Sequence, residues 1–146
     1  MLFEDVTIAV QPCAAAPKDE SPVLCFQPGQ VLLVEKESVP CLPVYRQVKP
    51  LLPEGTVLIA LLTADGQAVF TPDPLGDEVI PQGNGLSYGP MRLFREMDCR
   101  SGAVLTAAHH LWQWMRRNRF CGGCGGRMEH DGAERALRCP ACGQVN

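Results

Sequence analysis

Four cysteines near the end of the 146-residue chain form two C-x-x-C pairs. The first pair is Cys121 and Cys124, the second is Cys139 and Cys142, and fourteen residues lie between the pairs. A tetrahedral zinc ion takes thiolates at about 2.3 Å, and two cysteines three positions apart in a tight turn can both reach it. Two such pairs at this separation are a strong zinc signal. The sequence therefore predicts one structural Zn²⁺ bound by all four cysteines.

The residues around the cysteines predict how the two pairs meet. Asp131-Gly132 lies between the pairs and favours a chain reversal. A glycine follows each second cysteine, where the turn under the metal often needs a positive φ. Two cysteine knuckles on a β-hairpin form a zinc ribbon. His130 also lies between the pairs, but four cysteines complete the tetrahedron, so we predict a surface residue at the hairpin tip and not a ligand.

Other states of the four thiols are open at this stage, namely free thiols, two disulfides or a rubredoxin-like iron site. Disulfides are typical of oxidising compartments, and the N-terminal residues, with Glu4 and Asp5, lack the basic region of a secretory signal. No apolar run approaches the roughly 20 residues that span a bilayer. We therefore predict a cytoplasmic protein with no membrane partner. The other cysteines show no pairing pattern and are predicted core or loop positions: Cys13, Cys25, Cys41 and Cys99.

Charge is distributed unevenly along the chain. Residues 1–114 hold seven Lys/Arg and thirteen Asp/Glu, whereas residues 115–146 hold six Arg and three acids. The arginines of this basic end either keep the surface of a small ribbon hydrated or attract a phosphate-bearing partner such as a nucleic acid. The acidic balance of the whole chain, and the lack of aromatic residues among the arginines apart from Phe120, disfavour nucleic acid.

Hydrophobic periodicity predicts a strand-rich N-terminal region. Residues 23–26 and 31–34 flank Pro28-Gly29, and residues 56–63 and 67–70 flank a turn that contains Gly66, so two hairpins are predicted. A further strand is predicted at 2–10. Four prolines disfavour a central strand within 39–55. Residues 71–90, rich in Pro, Gly and Asp, are predicted to be a long loop.

The pattern becomes helical after this region. A short helix is predicted at 91–97, and Ser101 is the predicted N-cap of a second helix. Arginines at the end of that helix suit its dipole. His109 and His110 are adjacent and cannot form an i, i+4 metal pair, so both are predicted to be structural. The apolar residues at helical spacing are predicted to pack on the sheet: Val104, Leu105, Ala108, Leu111, Trp112 and Met115.

These elements predict an α+β fold. A strand-rich domain (1–98) is followed by a connecting helix (99–118) and a zinc ribbon (119–146).

The sequence around the first cysteine pair carries a family resemblance. The run Leu111-Trp112-x-Trp114-x-x-x-Asn118-Arg119-Phe120-Cys121-Gly122-x-Cys124-Gly125, followed by Arg138-Cys139-Pro140-x-Cys142-Gly143, resembles the NADH pyrophosphatases of the Nudix family. In that family a strand-rich domain leads through a helix into a four-cysteine zinc ribbon, and a catalytic Nudix domain follows. The resemblance implies hydrolysis of NADH to NMNH and AMP by the whole family protein, with Mg²⁺ or Mn²⁺ bound by the Nudix domain, and it implies homodimers.

The family's catalytic motif, G-x5-E-x7-R-E-U-x-E-E-x-G-U with U a bulky apolar residue, has no full counterpart among the 146 residues. Arg95-Glu96-Met97 matches its R-E-U core, but Cys99 and Arg100 stand in place of the glutamate pair. Only the four zinc ligands carry over from the family. Because the chain ends four residues after Cys142, we expect that the Nudix domain is absent.

The sequence leaves three candidate functions for this chain. The first is a non-catalytic, zinc-binding structural and dimerisation module of an NAD(H) diphosphatase, whose partner is a second copy or a separate Nudix domain. The alternative is a free-standing zinc-ribbon module that binds nucleic acid or protein. A stand-alone enzyme is disfavoured because no acid/base pair or phosphate-binding glycine loop is visible. Whether the chain has any enzymatic activity is left open, but alone it is predicted to be inactive.

Overall fold

The first sheet is built around the second predicted hairpin. The computed structural model describes residues 6–34 and 39–146. Strand β4 (Leu58–Ala64) and strand β5 (Gln67–Pro72) pair antiparallel across a two-residue turn. Asp65 and Gly66 both have positive φ (50° and 81°), as a type I′ turn requires. This hairpin is confirmed.

Within residues 6–10, the described part of the predicted N-terminal strand, only two residues form a strand. Strand β1 (Ile8–Ala9) pairs with the other edge of β4, with Ile8 opposite Ala64. Cys13 makes an isolated antiparallel bridge to Ala60 further along the same edge. Residues 2–5 of the predicted strand lie outside the described residues.

The second sheet contains the first predicted hairpin and one strand that the sequence did not predict. Strands β2 (Phe26–Gln27) and β3 (Gln30–Val34) meet at a turn in which Gly29 has a φ of 71°, so this hairpin is confirmed. Strand β6 (Leu86–Pro90) pairs with the whole of β3. The predicted loop over 71–90 is therefore wrong at both ends, since residues 71–72 belong to β5 and residues 86–90 to β6. Pro90 is tolerated because β6 is an edge strand and the proline is its last residue.

The two sheets are joined and bury hydrophobic side chains on both faces. Val23 bridges Phe70 in parallel, and the Leu24 amide donates to the Phe70 carbonyl at 2.8 Å. Alternate residues then face opposite sides, so Leu24 lies in one core and Val23 in the other. This explains the continuous apolar run in the first hairpin.

The proline-rich segment 39–55 forms no regular strand, as predicted, but it contains a helical segment that the sequence did not predict. Helix α1 (Tyr45–Val48) continues into a 3-10 helix (Lys49–Leu51). Val48 is fully buried and packs in the core on the Val23 side of the sheets. One apolar position in so short a helix produces no detectable periodicity.

Helix α2 (Cys99–Arg117) covers the opposite face of the sheets. The predicted short helix before it is confirmed, with 3-10 geometry, at Met91–Glu96. The prediction that Ser101 is the N-cap is wrong, because Asp98 holds that position. The Asp98 carboxylate accepts hydrogen bonds from both the amide and the hydroxyl of Ser101 at 2.9 Å. The bond from the Ser101 amide also lowers the pKa of Asp98.

The predicted apolar stripe of α2 is confirmed. Its core members Val104, Leu105, Ala108 and Met115 are buried, and burying a side chain of leucine size contributes about 2 kcal/mol. His109 packs between helix and sheet, with its ring 5.4 Å from that of Phe26, and burial lowers its pKa. Sheets with a helix on each face, followed by a small cysteine-rich hairpin, make the fold α+β as predicted. No helix in residues 6–34 and 39–146 has the length and apolarity to cross a bilayer.

Candidate metal centre

The two cysteine pairs lie in turns with the same backbone hydrogen bonds. In the first turn the Cys121 amide donates to Gly126 O at 2.7 Å, and the Gly125 amide donates to Cys121 O at 2.8 Å. In the second turn the Cys139 amide donates to Gln144 O at 2.8 Å, and the Gly143 amide donates to Cys139 O at 2.9 Å. The pattern is therefore repeated eighteen residues along the chain, from Cys121 to Cys139.

The glycine after each second cysteine has the backbone conformation that the sequence predicted. Gly125 has a φ of 79° and Gly143 a φ of 80°. A Cβ at Gly125 would meet no atom within 4 Å. The requirement for glycine there is therefore conformational and not steric.

The two turns bring four sulfur atoms together. The Sγ atoms of Cys121, Cys124, Cys139 and Cys142 all lie within 4.8 Å of one another. The closest contacts, Cys121 to Cys142 and Cys124 to Cys139, are both 3.5 Å. Ligands at about 2.3 Å in a tetrahedron stand about 3.8 Å apart, so the arrangement suits zinc. All four thiols are free, since a disulfide would need about 2.05 Å.

A zinc ligand must be a thiolate, and the four thiols differ in how readily they ionise. The backbone amide of Gln144 favours the thiolate of Cys142, but hydrogen bonds with the sulfurs of Cys121 and Cys139 outweigh it and raise the pKa of Cys142 to about 12. The backbone amide of Gly126 likewise favours the thiolate of Cys124, but hydrogen bonds with neighbouring cysteine sulfurs outweigh it, so the pKa of Cys124 is raised as well.

Hydrogen bonds from the backbone amides of Cys124 and Gly123 lower the pKa of Cys121 to about 7. The backbone amide of Cys142 lowers the pKa of Cys139. Cys121 and Cys139 are buried, whereas Cys124 and Cys142 are exposed, so a bound ion would lie near the surface.

A short hairpin connects the two turns. Strands β7 (Glu129–His130) and β8 (Leu137–Arg138) pair antiparallel. The predicted chain reversal is confirmed, although six residues, 131–136, make the connection. The Asp131 carboxylate accepts from the Ala133 amide at 2.8 Å, an Asx turn that starts the reversal.

The ribbon has its own small core, which is continuous with the main one. Met128 and Leu137 are buried beside Cys121 and Cys139. Trp114 of α2 and Leu75 pack against this cluster and also against the main core. The last turns of α2 are therefore shared between the N-terminal region and the ribbon.

The prediction for His130 needs correction. His130 is not in the cysteine cluster, but neither is it a free surface residue, because its Nε2 lies 2.8 Å from Asp73 Oδ1 and its side chain is only 28% exposed. Burial opposes ionisation of Asp73, but the hydrogen bonds from His130 and from the Leu75 amide outweigh it and lower the pKa of Asp73. The partner is 57 residues away in sequence, which is why the sequence did not reveal it.

Arginines hold the ribbon against the segment 73–77. Arg127 donates to Leu75 O at 3.0 Å and to Asp77 at 2.9 Å, and Arg119 lies 3.6 Å from the same carboxylate. Arg116, at the end of α2, donates to the carbonyls of Pro74 and Gly76. The two ribbon arginines also flank the exposed ring of Phe120, at 5.5 and 5.1 Å from its centroid.

Arg135 makes the most buried of these contacts. Its Nε donates to Val10 O at 3.0 Å, and its Nη2 donates to Ala60 O at 3.0 Å and Leu61 O at 2.9 Å. Burial lowers the pKa of this guanidinium. No sequence signal pointed to Arg135, because carbonyl acceptors leave no mark in an amino-acid sequence.

The basic end of the chain is thus largely occupied by contacts within the chain. Four of its six arginines bind carbonyls or carboxylates of residues 10–77, and Arg138 pairs with Asp131 inside the ribbon. Phosphate attraction is weakened by this internal pairing. The four other cysteines take no part in the centre: Cys25 is buried, and Cys13, Cys41 and Cys99 are exposed.

The fold and the four-cysteine site define a zinc-ribbon protein. Comparison with known families shows which zinc ribbon it resembles. The profile of the NADH pyrophosphatase zinc ribbon domain matches residues 116–145. This range covers the last two residues of α2, both cysteine turns and the hairpin.

Three similar proteins are named NAD-capped RNA hydrolase NudC. Those of Pseudomonas aeruginosa strains LESB58 and PAO1 are each 40% identical over 60 residues, which is 40% of this chain and 22% of the relative. That of Stutzerimonas stutzeri A1501 is 36% identical over 80 residues, which is 54% of this chain and 28% of the relative. The matched region thus spans between a fifth and a third of these relatives.

These matches confirm the resemblance found in the sequence. The similarity to the NADH pyrophosphatase family covers the zinc ribbon and part of the region before it, and not the whole of the chain or of its relatives.

Proposed function

We propose that this chain is a non-catalytic structural module of a NADH pyrophosphatase-type protein, held together by one zinc ion. Cys121, Cys124, Cys139 and Cys142 bind the ion. The observation that carries the proposal is the convergence of four sulfurs within 4.8 Å from two turns of identical hydrogen bonding. The ion supplies folding free energy, on the order of 10 kcal/mol or more in isolated finger peptides.

The module's task is to position other protein units. No counterpart of the family's catalytic glutamates lies in the 146 residues, so Mg²⁺ or Mn²⁺ belongs to a Nudix domain and not to this chain. Suitable partners are a second copy of the chain or a separate Nudix domain in the cytoplasm. Light scattering of the purified chain, with and without an added Nudix domain, measures both associations.

Metal analysis tests the proposal directly. We expect about one zinc per chain, and cobalt substitution should give the absorption bands of tetrahedral thiolate coordination. Cys139→Ser should lose the metal and unfold the ribbon, because it removes one of four ligands and a buried core residue. Cys99→Ser, at an exposed cysteine outside the cluster, is the matched control and should keep its zinc.

Two outcomes would contradict the proposal. One is a folded wild-type chain that contains no metal under reducing conditions. The other is magnesium-dependent cleavage of NADH by the pure chain, which would show that the module is itself an enzyme.

A further inference from the structure

The edge between β1 and β4 is interrupted where Arg135 binds. Ala9 pairs with Thr63, and the next bridge along this edge joins Cys13 to Ala60. Three residues of the N-terminal segment therefore face two residues of β4, and regular pairing cannot continue across the gap. Val10 O lies on one side of the gap, and the carbonyls of Ala60 and Leu61 lie on the other.

A bulge in β4 explains why two successive carbonyls can bind one donor group. The register with β5 shifts between Ala60 and Leu62, so Leu61 has no partner in the ladder. Successive carbonyls of a regular strand point to opposite sides, whereas a bulge can turn two of them the same way. The Arg135 guanidinium reaches both carbonyls with Nη2 and Val10 O with Nε. The guanidinium thus takes the place of the backbone hydrogen bonds that are missing between the N-terminal segment and β4 at the gap.

Before the gap, the N-terminal segment is also attached through Val6 and Ile8, which pack in the core on the α2 side of the sheets. Strand β1 has two residues, and the adjacent Thr7 exchanges hydrogen bonds of 2.8 Å with Asp65. Arg135 itself lies in the 131–136 connection of the ribbon hairpin, whose ends are held by the two cysteine turns. Its position at the sheet therefore depends on a folded ribbon.

We propose that Arg135 is a positioning residue that couples zinc binding in the ribbon to attachment of residues 6–13 along the edge of β4. This rests on the proposed structural role of zinc. Zinc binding and ribbon folding are one equilibrium in sites of this kind. A contact that only the folded ribbon makes must then raise the zinc affinity. By linkage, zinc binding must stabilise the residues that Arg135 contacts, including the attachment of Val10 to the sheet.

Two measurements on the whole chain test the coupling. In a competition titration with a chromogenic chelator, Arg135→Ala should weaken zinc binding about tenfold, the effect of losing about 1.4 kcal/mol. Arg117→Ala, at an exposed arginine in the last turn of α2, is the control and should stay within about twofold. Arg135→Lys should remain weakened, because one ammonium cannot reproduce a planar fork that spans three carbonyls.

Hydrogen exchange on the wild-type chain provides the second measurement and needs no variant. Removing zinc with a chelator should speed exchange of amides in residues 6–13 at least about tenfold, while the β2–β3 hairpin at 26–34 keeps its protection. Full restoration of affinity in Arg135→Lys would overturn the proposal, as would unchanged exchange at 6–13. A wild-type chain that binds no zinc would instead overturn the proposed function.

Discussion

At the residue scale, the cysteines of the cluster and His130 are the side chains whose chemical type matters most. The four cysteines are placed by the backbone hydrogen bonds of their own turns, and amide donors to sulfur favour the thiolate form at Cys121. His130 is different, because its partner Asp73 belongs to the N-terminal region. His130 thus joins the ribbon to the N-terminal region and lies outside the cluster of four cysteines.

We expect His130→Ala to destabilise the chain by about 1 kcal/mol at neutral pH, since it removes a half-buried hydrogen bond to a carboxylate. Denaturant unfolding of the zinc-loaded protein measures this. The lowered pKa of Asp73 means that the unfolded state takes up its proton first as pH falls. The contribution is therefore present at neutral pH and lost below about pH 4, and the variant should show less acid sensitivity over that range. Wild-type stability in the variant would contradict the role given to this contact.

At the element scale, the cysteine turns are determined by backbone conformation as much as by ligands. Gly125 and Gly143 occupy equivalent positions with φ near 80°, where a side chain is strained by about 1–2 kcal/mol. The hairpin between the turns adds Met128 and Leu137 to the core beneath the site. The ribbon thus contributes two strands and a few buried side chains. Contacts with α2, with the segment 73–77 and with the edge of β4 add to its stability, and so does the zinc ion proposed above.

The turns allow a matched pair of glycine substitutions. Gly125→Ala should lower the free energy of unfolding by about 1–2 kcal/mol, because the residue needs a positive φ although it has open space for a Cβ. Gly122→Ala in the same turn should cost much less, because its φ is not positive and its nearest neighbour is the Gln144 side chain at 4.0 Å. Thermal melts of the zinc-loaded proteins compare the two. Equal losses of stability in the two variants would show that the positive φ of Gly125 is not the cause of its sensitivity to substitution.

At the scale of the whole molecule, the uneven charge of the chain is largely explained by its own contacts. The acidic segment 73–77 lies against the arginines of α2 and the ribbon, so opposite charges that are remote in sequence pair in the fold. Arg117 remains exposed at the end of α2. Arg127 and Arg138 are exposed as well, but each is paired with a carboxylate, so the basic end does not present the row of unpaired cations that neutralises several phosphates.

We therefore expect no measurable binding of a short single-stranded RNA by the purified chain at about 50 mM salt. Fluorescence polarisation with a labelled oligonucleotide tests this, and a basic protein of similar size serves as the positive control. Binding that weakens steeply as salt increases would revive the nucleic-acid alternative. The expectation concerns this chain alone and not the full-length relatives.

The amino-acid sequence by itself determined the four-cysteine cluster and most of the local structure. Ligand type, the spacing of the pairs and the following glycines act within a few residues, and so do the two N-terminal hairpins and the stripe of α2. The N-cap at Asp98 and strand β6 were missed, because a competing Ser101 stood nearby and the glycines and prolines around β6 resemble a loop. The division into three domains stays a prediction.

Only the tertiary structure decided what the polar residues of the ribbon do. The sequence suggested a phosphate-binding surface for the arginines and a hairpin-tip position for His130. The partners of His130 and of Arg116, Arg119, Arg127 and Arg135 are 40 to 125 positions away and could not be identified from the sequence. Several of those partners are backbone carbonyls, which every residue has and which no sequence pattern distinguishes. Folding selects among them by placing the bulge of β4 and the 73–77 segment beside the ribbon, and it thereby turns a basic segment into an internal interface.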